Sequence, residues 1–476
     1  MLFNSLFYVV FLAVVVAISW GLARWRWGRT VFLLACSCLF YMAWSPQYIL
    51  LILGAATWDW AMARVIEKTP DSKAGLRKAL MLGSVAVNLG LLGYYKYLGF
   101  FVENLVAVLH AAGLDVAIGV AKVALPVGIS FFTFQSMAYV VDVYRREMPA
   151  ERNLLRFWLF ATFFPQLVAG PISRAHILIP QLHRPPRLQE DDVGEALFRI
   201  ATGLVKKVVV ADWLALNLVD RVFSNPGIYS GAEILVGLYA YTLQIYCDFS
   251  GYTDIAVGSA RLLGIKLPEN FNRPYRARTV AEFWRRWHIT LSTWLRHYVF
   301  FPLGGSRGSM GRANRNTLIT LVLIGLWHGA NWTFVLYGLL HGVAIAWNRV
   351  QTRKQPKGWS HDELPWTQNL WRIALTFHFV VLARILFRAP SLAAAGDLSH
   401  ALLHNGLGLA RIDSGTWLVL ALGYAAHWAP PGWADRLRLA FRSWPVPAQG
   451  AALVAVASLM GLVAETDAVP FIYFQF

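Results

Sequence analysis

The stretch LIGLWHGANWTFVLYGLLHG, residues 323–342, is apolar enough to lie in a lipid bilayer, yet it carries the ionisable side chain of His328 near its middle. An ionisable residue at membrane depth costs about 3 kcal/mol to insert and usually marks a function. The alternative is a structural histidine that is buried and hydrogen-bonded to a neighbouring helix. His328 is therefore the first candidate for a functional residue.

Basic residues bound the apolar region around this stretch, Arg315 on one side and Arg349 on the other. Lys and Arg tend to stay on the cytoplasmic side of a membrane, so the region should cross an even number of times. One full crossing takes about 20 residues, and residues 317–348 are too few for two such helices with a turn. The pattern predicts a hairpin of two short helices, broken near residues 329–331, with His328 close to the apex inside the bilayer.

Apolar residues make up 57% of the 476 residues, and charged residues only 14%. Apolar runs of about 17 to 25 residues recur along the chain, and this length crosses a bilayer as a helix. We therefore expect an all-α polytopic membrane protein with a single membrane domain, residues 1–476. The first apolar run has no basic segment before it and no obvious cleavage site, which favours a retained helix over a signal peptide.

The formal net charge of +17 would point to nucleic acid in a soluble protein. Here the basic residues lie in short connections between apolar runs, as in the positive cytoplasmic loops of membrane proteins. We therefore expect contact with membrane lipid and none with nucleic acid. The three cysteines, Cys36, Cys38 and Cys247, have no metal-site spacing and imply no disulfide framework, so no metal is expected.

Two apolar segments carry residues that break regular helices. One is residues 125–132, which contain a Pro-Val-Gly sequence, and the other is residues 157–170, which contain Pro165. The second segment is short and has basic residues on both flanks. This pattern predicts a re-entrant segment that leaves and returns on one side of the membrane.

The densest charged region, residues 261–315, is predicted to be cytoplasmic and amphipathic. Within it, residues 282–292 have a helical pattern, and we expect this helix at the membrane interface with its tryptophans toward lipid and its arginines toward water. Before this region, Asp248 and Asp254 lie at the end of an apolar span. Acid–base partnership is one interpretation of the pair, and helix capping or ion pairing with nearby arginines explains it equally well.

The sequence has no Walker A loop, no G-x-S-x-G elbow, no H-E-x-x-H and no dinucleotide fingerprint, which excludes the enzyme classes that need them. A buried neutral imidazole can take a proton from a hydroxyl nucleophile, so His328 suits acyl transfer. It equally suits proton relay in a transporter. His288 is as well explained as a surface histidine among lipid headgroups, and His341 is expected to pack. The residues alone leave transferase and transporter open.

Seven sequences between residues 125 and 476 resemble the membrane-bound O-acyltransferase family, MBOAT, and the resemblance as a whole runs from residue 1 to residue 476. They are LPVGISFFTFQ (125–135), FPQLVAGPI (164–172), DFSGYTD (248–254), NFNRPY (270–275), FWRRWHITLS (283–292), LWHGANW (326–332) and the closing FIYFQF (471–476). Within the family they are most similar to the bacterial branch that takes part in alginate O-acetylation. The branch of teichoic-acid D-alanylation is a more distant relative.

The resemblance implies a ring of transmembrane helices around a thinned centre, with re-entrant or short helices and a tunnel. It implies multi-pass insertion in the bacterial inner membrane and O-acetylation of an exopolysaccharide such as alginate. Acetyl-CoA is the implied acyl donor, with no bound cofactor, and periplasmic acetyltransferases of the polysaccharide-modification machinery are the implied partners. Transfer of another acyl group, as in D-alanylation, is the alternative.

The resemblance also implies roles for particular residues. His328 is the catalytic residue, and His288 is the second histidine, at the cytoplasmic mouth. Relatives usually have an acidic residue in Leu-Arg-x-Tyr where this chain has His297, so no role is assigned to His297. Substrate contacts are predicted for eight further residues, with the arginines attracting the CoA phosphates: Asp248, Tyr252, Asn272, Arg276, Arg285, Arg286, Trp327 and Asn331.

Overall fold

The computed structural model describes residues 3, 5–119, 124–189, 191–356, 364–430, 432–463 and 471. Within these ranges the regular elements are helices and no strand occurs, which confirms the all-α prediction. The chain divides into two compact units, residues 1–196 with 256–268, and residues 197–255 with 269–476. The single membrane domain stays a prediction.

The first unit is built mainly from the N-terminal helices. These are α1 (Leu6–Gly21), α2 (Arg26–Met42), α3 (Tyr48–Lys68), α4 (Ala74–Leu92), α5 (Leu98–Ala111), α6 (Ile129–Tyr144), α7 (Leu154–Thr162), α8 (Phe164–Leu167) and α9 (Ala175–His183). A widened helical turn, Gly93–Tyr97, joins α4 to α5. The aromatic residues that interrupt this apolar run in the sequence therefore form a turn wider than an α-helix.

Both segments with helix-breaking residues are broken. Gly128 precedes α6 with a φ of +76°, a left-handed conformation that glycine adopts without strain. The break between α7 and α8 falls at Phe163, two residues before Pro165. A Cβ added at Gly128 would lie 2.7 Å from the carbonyl oxygen of Leu167 in α8, so the two breaks pack closely together. The re-entrant path of the second segment stays a prediction.

The second unit contains most of the remaining helices. The list begins with α10 (Asp192–Leu204), α11 (Asp220–Ser224), α12 (Gly231–Leu262), α13 (Val280–Arg286), α14 (Ile289–Leu295), α15 (Met310–His328) and α16 (Trp332–Arg353). It ends with α17 (Trp366–Arg388), α18 (Leu392–His404), α19 (Ser414–Trp428), α20 (Trp433–Arg442) and α21 (Val446–Val463). Both predicted catalytic histidines belong to this unit.

Three of the described helices are long and apolar enough to cross a bilayer, judged by length and composition: Tyr48–Lys68, Asp71–Ala111 and Trp366–Arg388. Two further helices, Phe7–Gly21 and Val446–Val456, are apolar but shorter. These helices support the membrane character of the chain. The full multi-pass topology stays a prediction.

Helices α15 and α16 form the predicted hairpin, and the chain breaks between them at residues 329–331. The prediction of short helices is wrong, because α15 has 19 residues and α16 has 22. Helix α15 extends back through polar residues to its cap, Ser309, whose hydroxyl accepts a hydrogen bond from the N–H of Arg312. Gly338 allows the two helices to approach, since a Cβ there would collide with the carbonyl oxygen of Leu321.

In the segment expected at the membrane interface, the tryptophans lie in the protein interior and Arg285 is exposed. Trp284 is 6% exposed and Trp287 1% exposed, so the prediction that these tryptophans face lipid is wrong. The segment is also not one helix, because the chain turns at His288 between α13 and α14. An amphipathic pattern shows which face is apolar, but it does not show whether lipid or protein covers that face.

Candidate active site

His328 is the last residue of α15, and only 2% of its surface is exposed. Its imidazole lies 6.5 Å from the rings of both Phe334 and Tyr337 of α16, and 5.0 Å from that of Phe387 of α17. Aromatic walls keep the local dielectric low, which strengthens the interactions of any charge that develops on the ring. The predicted place at the hairpin apex is confirmed, and its depth in the bilayer stays a prediction.

His288 is fully buried, at 0% exposure, so its interpretation as a surface histidine is wrong. Its backbone is left-handed, with a φ of +41°, a conformation that non-glycine residues rarely adopt and that clusters at functional sites. The side-chain oxygen of Asn270 accepts three hydrogen bonds in this turn. The donors are Nδ1–H of His288 at 3.0 Å, and the backbone N–H and hydroxyl of Thr290 at 3.3 and 2.9 Å.

This hydrogen bond decides which form of the His288 imidazole is present. Because the amide oxygen of Asn270 can only accept, Nδ1 carries the ring proton and Nε2 keeps its lone pair. Burial lowers the pKa of His288 to about 3. The side chain is therefore neutral at pH 7, and the lone pair of Nε2 can accept a hydrogen bond.

Trp327 joins the two predicted catalytic histidines. Its indole lies 5.7 Å from the His288 ring and 5.0 Å from the His328 ring. Phe249 of α12 meets His288 edge to face at 4.7 Å. The two histidines, which lie on separate segments of the sequence, therefore share one buried aromatic environment.

Arg384 of α17 is a buried cation beside this site, and the sequence analysis missed it. It is 1% exposed, and its guanidinium lies 5.0 Å from the Trp287 ring and 5.2 Å from the Phe387 ring. Phe387 in turn contacts His328. A signal was available, because an arginine inside the apolar helix α17 is a candidate functional residue by default.

The two carboxylates of DFSGYTD lie well inside α12, so the capping interpretation is wrong. Asp248 is buried and lies 2.8 Å from Nζ of Lys207, which also lies 2.7 Å from Asp212. Asp254 pairs with Lys206 at 2.6 Å. Ion pairing is therefore confirmed, but lysines, rather than the predicted arginines, make the close contacts. A role for Asp248 toward substrate stays a prediction.

Three other predicted substrate contacts have structural partners. Tyr252 packs on Phe471 of the closing aromatic sequence, with ring centres 4.8 Å apart; the rest of that sequence lies outside the described residues. Asn331 caps α16, where its side-chain oxygen accepts the N–H of Thr333. Arg276 donates to a backbone carbonyl at the end of α19 at 3.2 Å. Substrate contact by these residues stays a prediction.

Asn272, Arg285 and Arg286 line one cavity of about 1020 Å³. The described lining contains one carboxylate, Glu282, and five arginines: Arg278, Arg285, Arg286, Arg349 and Arg353. Glu282 pairs with Arg278 and Arg286 at 3.3 and 2.8 Å. The first turn of α15 adds a positive helix end to the lining. The cavity therefore suits a polyanion such as a chain of phosphates.

Both helices of the hairpin connect this cavity to His328. The cavity meets the start of α15 and the last turns of α16, whereas His328 lies at the opposite end of the hairpin. Within the described ranges, no cluster of three or more His, Cys, Asp or Glu side chains is arranged to hold a metal ion. The chemical groups of the site are therefore two buried imidazoles, a buried arginine and a basic cavity.

Comparison with known proteins places these groups in a family. The membrane-bound O-acyltransferase family, MBOAT, matches residues 144–387. The probable alginate O-acetylase AlgI of Pseudomonas aeruginosa is 38% identical over 379 residues, which cover 79% of this chain and 70% of that protein. The peptidoglycan O-acetyltransferase of Helicobacter pylori is 35% identical over 412 residues, 80% of this chain and 75% of that protein.

A third relative, the teichoic acid D-alanyltransferase of Streptococcus thermophilus, is 31% identical over 283 residues, 55% of this chain and 67% of that protein. The family match contains His288, His328, Arg384 and all residues that line the basic cavity. Of the two classes that the residues left open, the comparisons therefore support the acyltransferase. The chain belongs to the membrane-bound O-acyltransferase family.

Proposed function

We propose that this O-acyltransferase moves an acetyl group from cytoplasmic acetyl-CoA to a hydroxyl of a cell-envelope polysaccharide, alginate or a similar exopolysaccharide, with His328 as the catalytic residue. The observation that carries the proposal is the pair of buried histidines whose rings both contact Trp327. The alginate O-acetylase among the relatives supports the acetyl group and the acceptor class.

The proposed chemistry uses His328 as a general base. The imidazole removes the proton of the acceptor hydroxyl as its oxygen attacks the acetyl carbonyl carbon. A new C–O bond forms, and the tetrahedral intermediate collapses with cleavage of the C–S bond. The leaving thiolate of CoA takes a proton back from the imidazolium, so the products are an acetyl ester and CoA thiol.

His288 is proposed to hold a substrate group through Nε2, which keeps a lone pair because Nδ1 donates to Asn270. The left-handed turn at His288 points to a side chain held in a required orientation. A group that accepts at this position selects a donor, such as a hydroxyl. His288 therefore fits orientation of the acceptor through a second hydroxyl of the sugar, while His328 takes the proton of the hydroxyl that attacks.

The basic cavity is the proposed site for the phosphates of CoA. Arg285 and Arg353 make no ion pair within the part of the chain that the structure describes, so their charge is available to a ligand. Arginine forks match phosphate oxygens in pairs, which gives orientation as well as affinity. With the phosphates held there, the pantetheine arm would extend along the hairpin toward His328.

The proposed setting is a multi-pass protein of the bacterial inner membrane, with the donor on the cytoplasmic side and the acceptor on the other. We further propose that a periplasmic acetyltransferase partner receives or directs the acetyl group. The same site would serve D-alanyl transfer if the donor were a D-alanyl thioester, as the name of the third relative allows.

The test is acetyl transfer from labelled acetyl-CoA by the purified protein in liposomes, followed by CoA thiol release and by label in added polymer. We expect His328→Ala to lower the rate about 10²- to 10⁴-fold, the range for loss of a general base. His404→Ala, at an exposed histidine of α18, is the matched control and should keep full activity.

Three results would contradict parts of this proposal. Wild-type transfer by His328→Ala, at equal protein amount, would remove the catalytic assignment. Consumption of a D-alanyl thioester but not of acetyl-CoA would replace the acetyl donor. Solute movement driven by a proton gradient, with neither thioester consumed, would contradict acyl transfer itself.

A further inference from the structure

His341 of α16 is a buried histidine, and its ring N–H has no hydrogen-bond partner among the residues that the structure describes. Its exposure is 0%, and its Nδ1 accepts a hydrogen bond from the indole N–H of Trp284 at 3.2 Å. Because Nδ1 accepts, the proton of the neutral ring lies on Nε2. Nε2–H has no hydrogen-bond partner among the described residues.

Such a donor calls for an explanation, because buried polar groups in folded proteins nearly always have a partner. The histidine already has one structural role, since Nδ1 accepts the buried indole N–H of Trp284, which a leucine or phenylalanine would leave unsatisfied. That role accounts for Nδ1 and leaves the Nε2–H donor unexplained. The hydrogen bond from Trp284 keeps His341 in the tautomer with its proton on Nε2, so the far edge of the imidazole presents a donor rather than an acceptor. The arrangement therefore points to an acceptor supplied by a ligand.

The position of His341 indicates which ligand. It shares one face of α16 with Phe334, Tyr337, Ile345 and Asn348, which follow one another at intervals of three or four residues. At one end of this face, Phe334 and Tyr337 contact His328. At the other end, Ile345 and Asn348 line the basic cavity. His341 therefore lies between the proposed phosphate site and the catalytic histidine.

The surroundings of His341 are aromatic. Its ring lies 4.4 Å from that of Tyr337, 5.1 Å from that of Phe379 and 6.1 Å from that of Phe283. A mostly apolar wall with one fixed polar group is typical of sites that bind an extended, largely apolar ligand in one orientation. The pantetheine arm is such a chain, because its methylene segments are interrupted by amide groups.

We propose that His341 is a positioning residue, whose Nε2–H donates a hydrogen bond to an amide carbonyl of the pantetheine arm. This inference rests on the proposed function, since it takes a CoA thioester as the donor. The contact would hold the middle of the arm against α16. It would thereby strengthen binding of the donor without taking part in proton transfer.

The test compares two thioester donors in His341→Leu and His341→Gln. With acetyl-CoA, His341→Leu should raise KM about three- to tenfold, the effect of one lost neutral hydrogen bond, and change kcat less than twofold. His341→Gln keeps an N–H donor and should stay within about twofold of the unaltered protein. With an acetyl thioester of a simple alkyl thiol, which has no amide, His341→Leu and the unaltered protein should have equal KM values.

Trp284→Phe gives an independent readout, because it removes the hydrogen bond to Nδ1 and leaves His341 in place. The freed ring can then carry its proton on either nitrogen, so KM for acetyl-CoA should rise by about twofold, less than in His341→Leu. Membrane yield and thermal unfolding in detergent check that each variant is folded.

Four outcomes decide the inference. A rise in KM only for acetyl-CoA, with rescue by His341→Gln, supports it. An equal rise in KM with both thioester donors would make His341 a packing residue only. An unchanged KM for acetyl-CoA in His341→Leu would contradict the proposed hydrogen bond while leaving acetyl-CoA as the donor. If the unaltered protein does not use acetyl-CoA, the donor assignment and this inference fail together.

Discussion

Replacing Asn270 by alanine tests how the turn at His288 is held. The amide oxygen of Asn270 accepts three hydrogen bonds, from His288 and from the backbone and hydroxyl of Thr290. All three residues are buried, so water would not replace the lost acceptor. At about 1 kcal/mol for each bond, Asn270→Ala should lower the free energy of unfolding by about 2 to 4 kcal/mol.

The same substitution should also impair the reaction. Without the acceptor, Nδ1 of His288 no longer has to carry the ring proton, and the left-handed turn keeps only backbone bonds such as that from the N–H of Ile289 to the carbonyl of residue 270 at 2.9 Å. Acetyl transfer should therefore fall at least tenfold, even at temperatures where the variant is folded. The measurements are chemical denaturation in detergent, followed by tryptophan fluorescence, and transfer from labelled acetyl-CoA.

Asn217→Ala is the matched control, because Asn217 only donates to a backbone carbonyl of its own helical segment, at 3.0 Å. It should cost less than about 1 kcal/mol and leave the rate unchanged. Unfolding and transfer in Asn270→Ala that both match the unaltered protein would refute the reasoning. Loss of stability with full activity would confine Asn270 to folding.

Three further predictions concern charge at the site. Arg384→Met should lower the rate of acetyl transfer at least tenfold. Arg384→Lys should not restore the rate, because an ammonium cannot stack as a planar guanidinium does between two aromatic rings. Equal rates in the two variants and the unaltered protein would contradict this. Arg285→Ala combined with Arg353→Ala should raise KM for acetyl-CoA about tenfold and weaken its dependence on salt, measured in initial rates at two ionic strengths. Burial lowers the pKa of His288 to about 3 in the folded protein, whereas the pKa in the unfolded chain is about 6.5. As the pH falls, the unfolded chain therefore binds the proton first, and the free energy of unfolding decreases below about pH 6.5. Between pH 6.5 and pH 5, the decrease in the free energy of unfolding should be about 1.5 kcal/mol smaller in His288→Gln than in the unaltered protein, measured by denaturation at both pH values.

The hairpin shows how far sequence patterns reach. Flanking arginines and the sequence Gly-Ala-Asn predict its break correctly, because caps and breaks depend on neighbouring residues. The helix lengths were wrong for a physical reason. The hairpin was bounded at the apolar residues, but α15 continues through polar residues that a helix tolerates as well as a loop does.

The segment around His288 shows where sequence patterns stop. Its amphipathic pattern fits an interfacial helix, and Trp284 and Trp287 fit a lipid-facing side. In the structure protein buries both tryptophans, and the helix breaks at His288. Apolar side chains gain similarly from lipid and from a protein interior, so periodicity cannot distinguish the two environments.

The sequence by itself determined the helical class, the break in the hairpin and the ionisable residue at its apex, since each depends on local composition or on adjacent residues. Only the tertiary structure decided that His288 and His328 share Trp327, and that Arg384 lies beside them. The arginines of the basic cavity likewise come from separate segments. These contacts join residues far apart in the chain, and an apolar pattern does not specify which helix face packs against which.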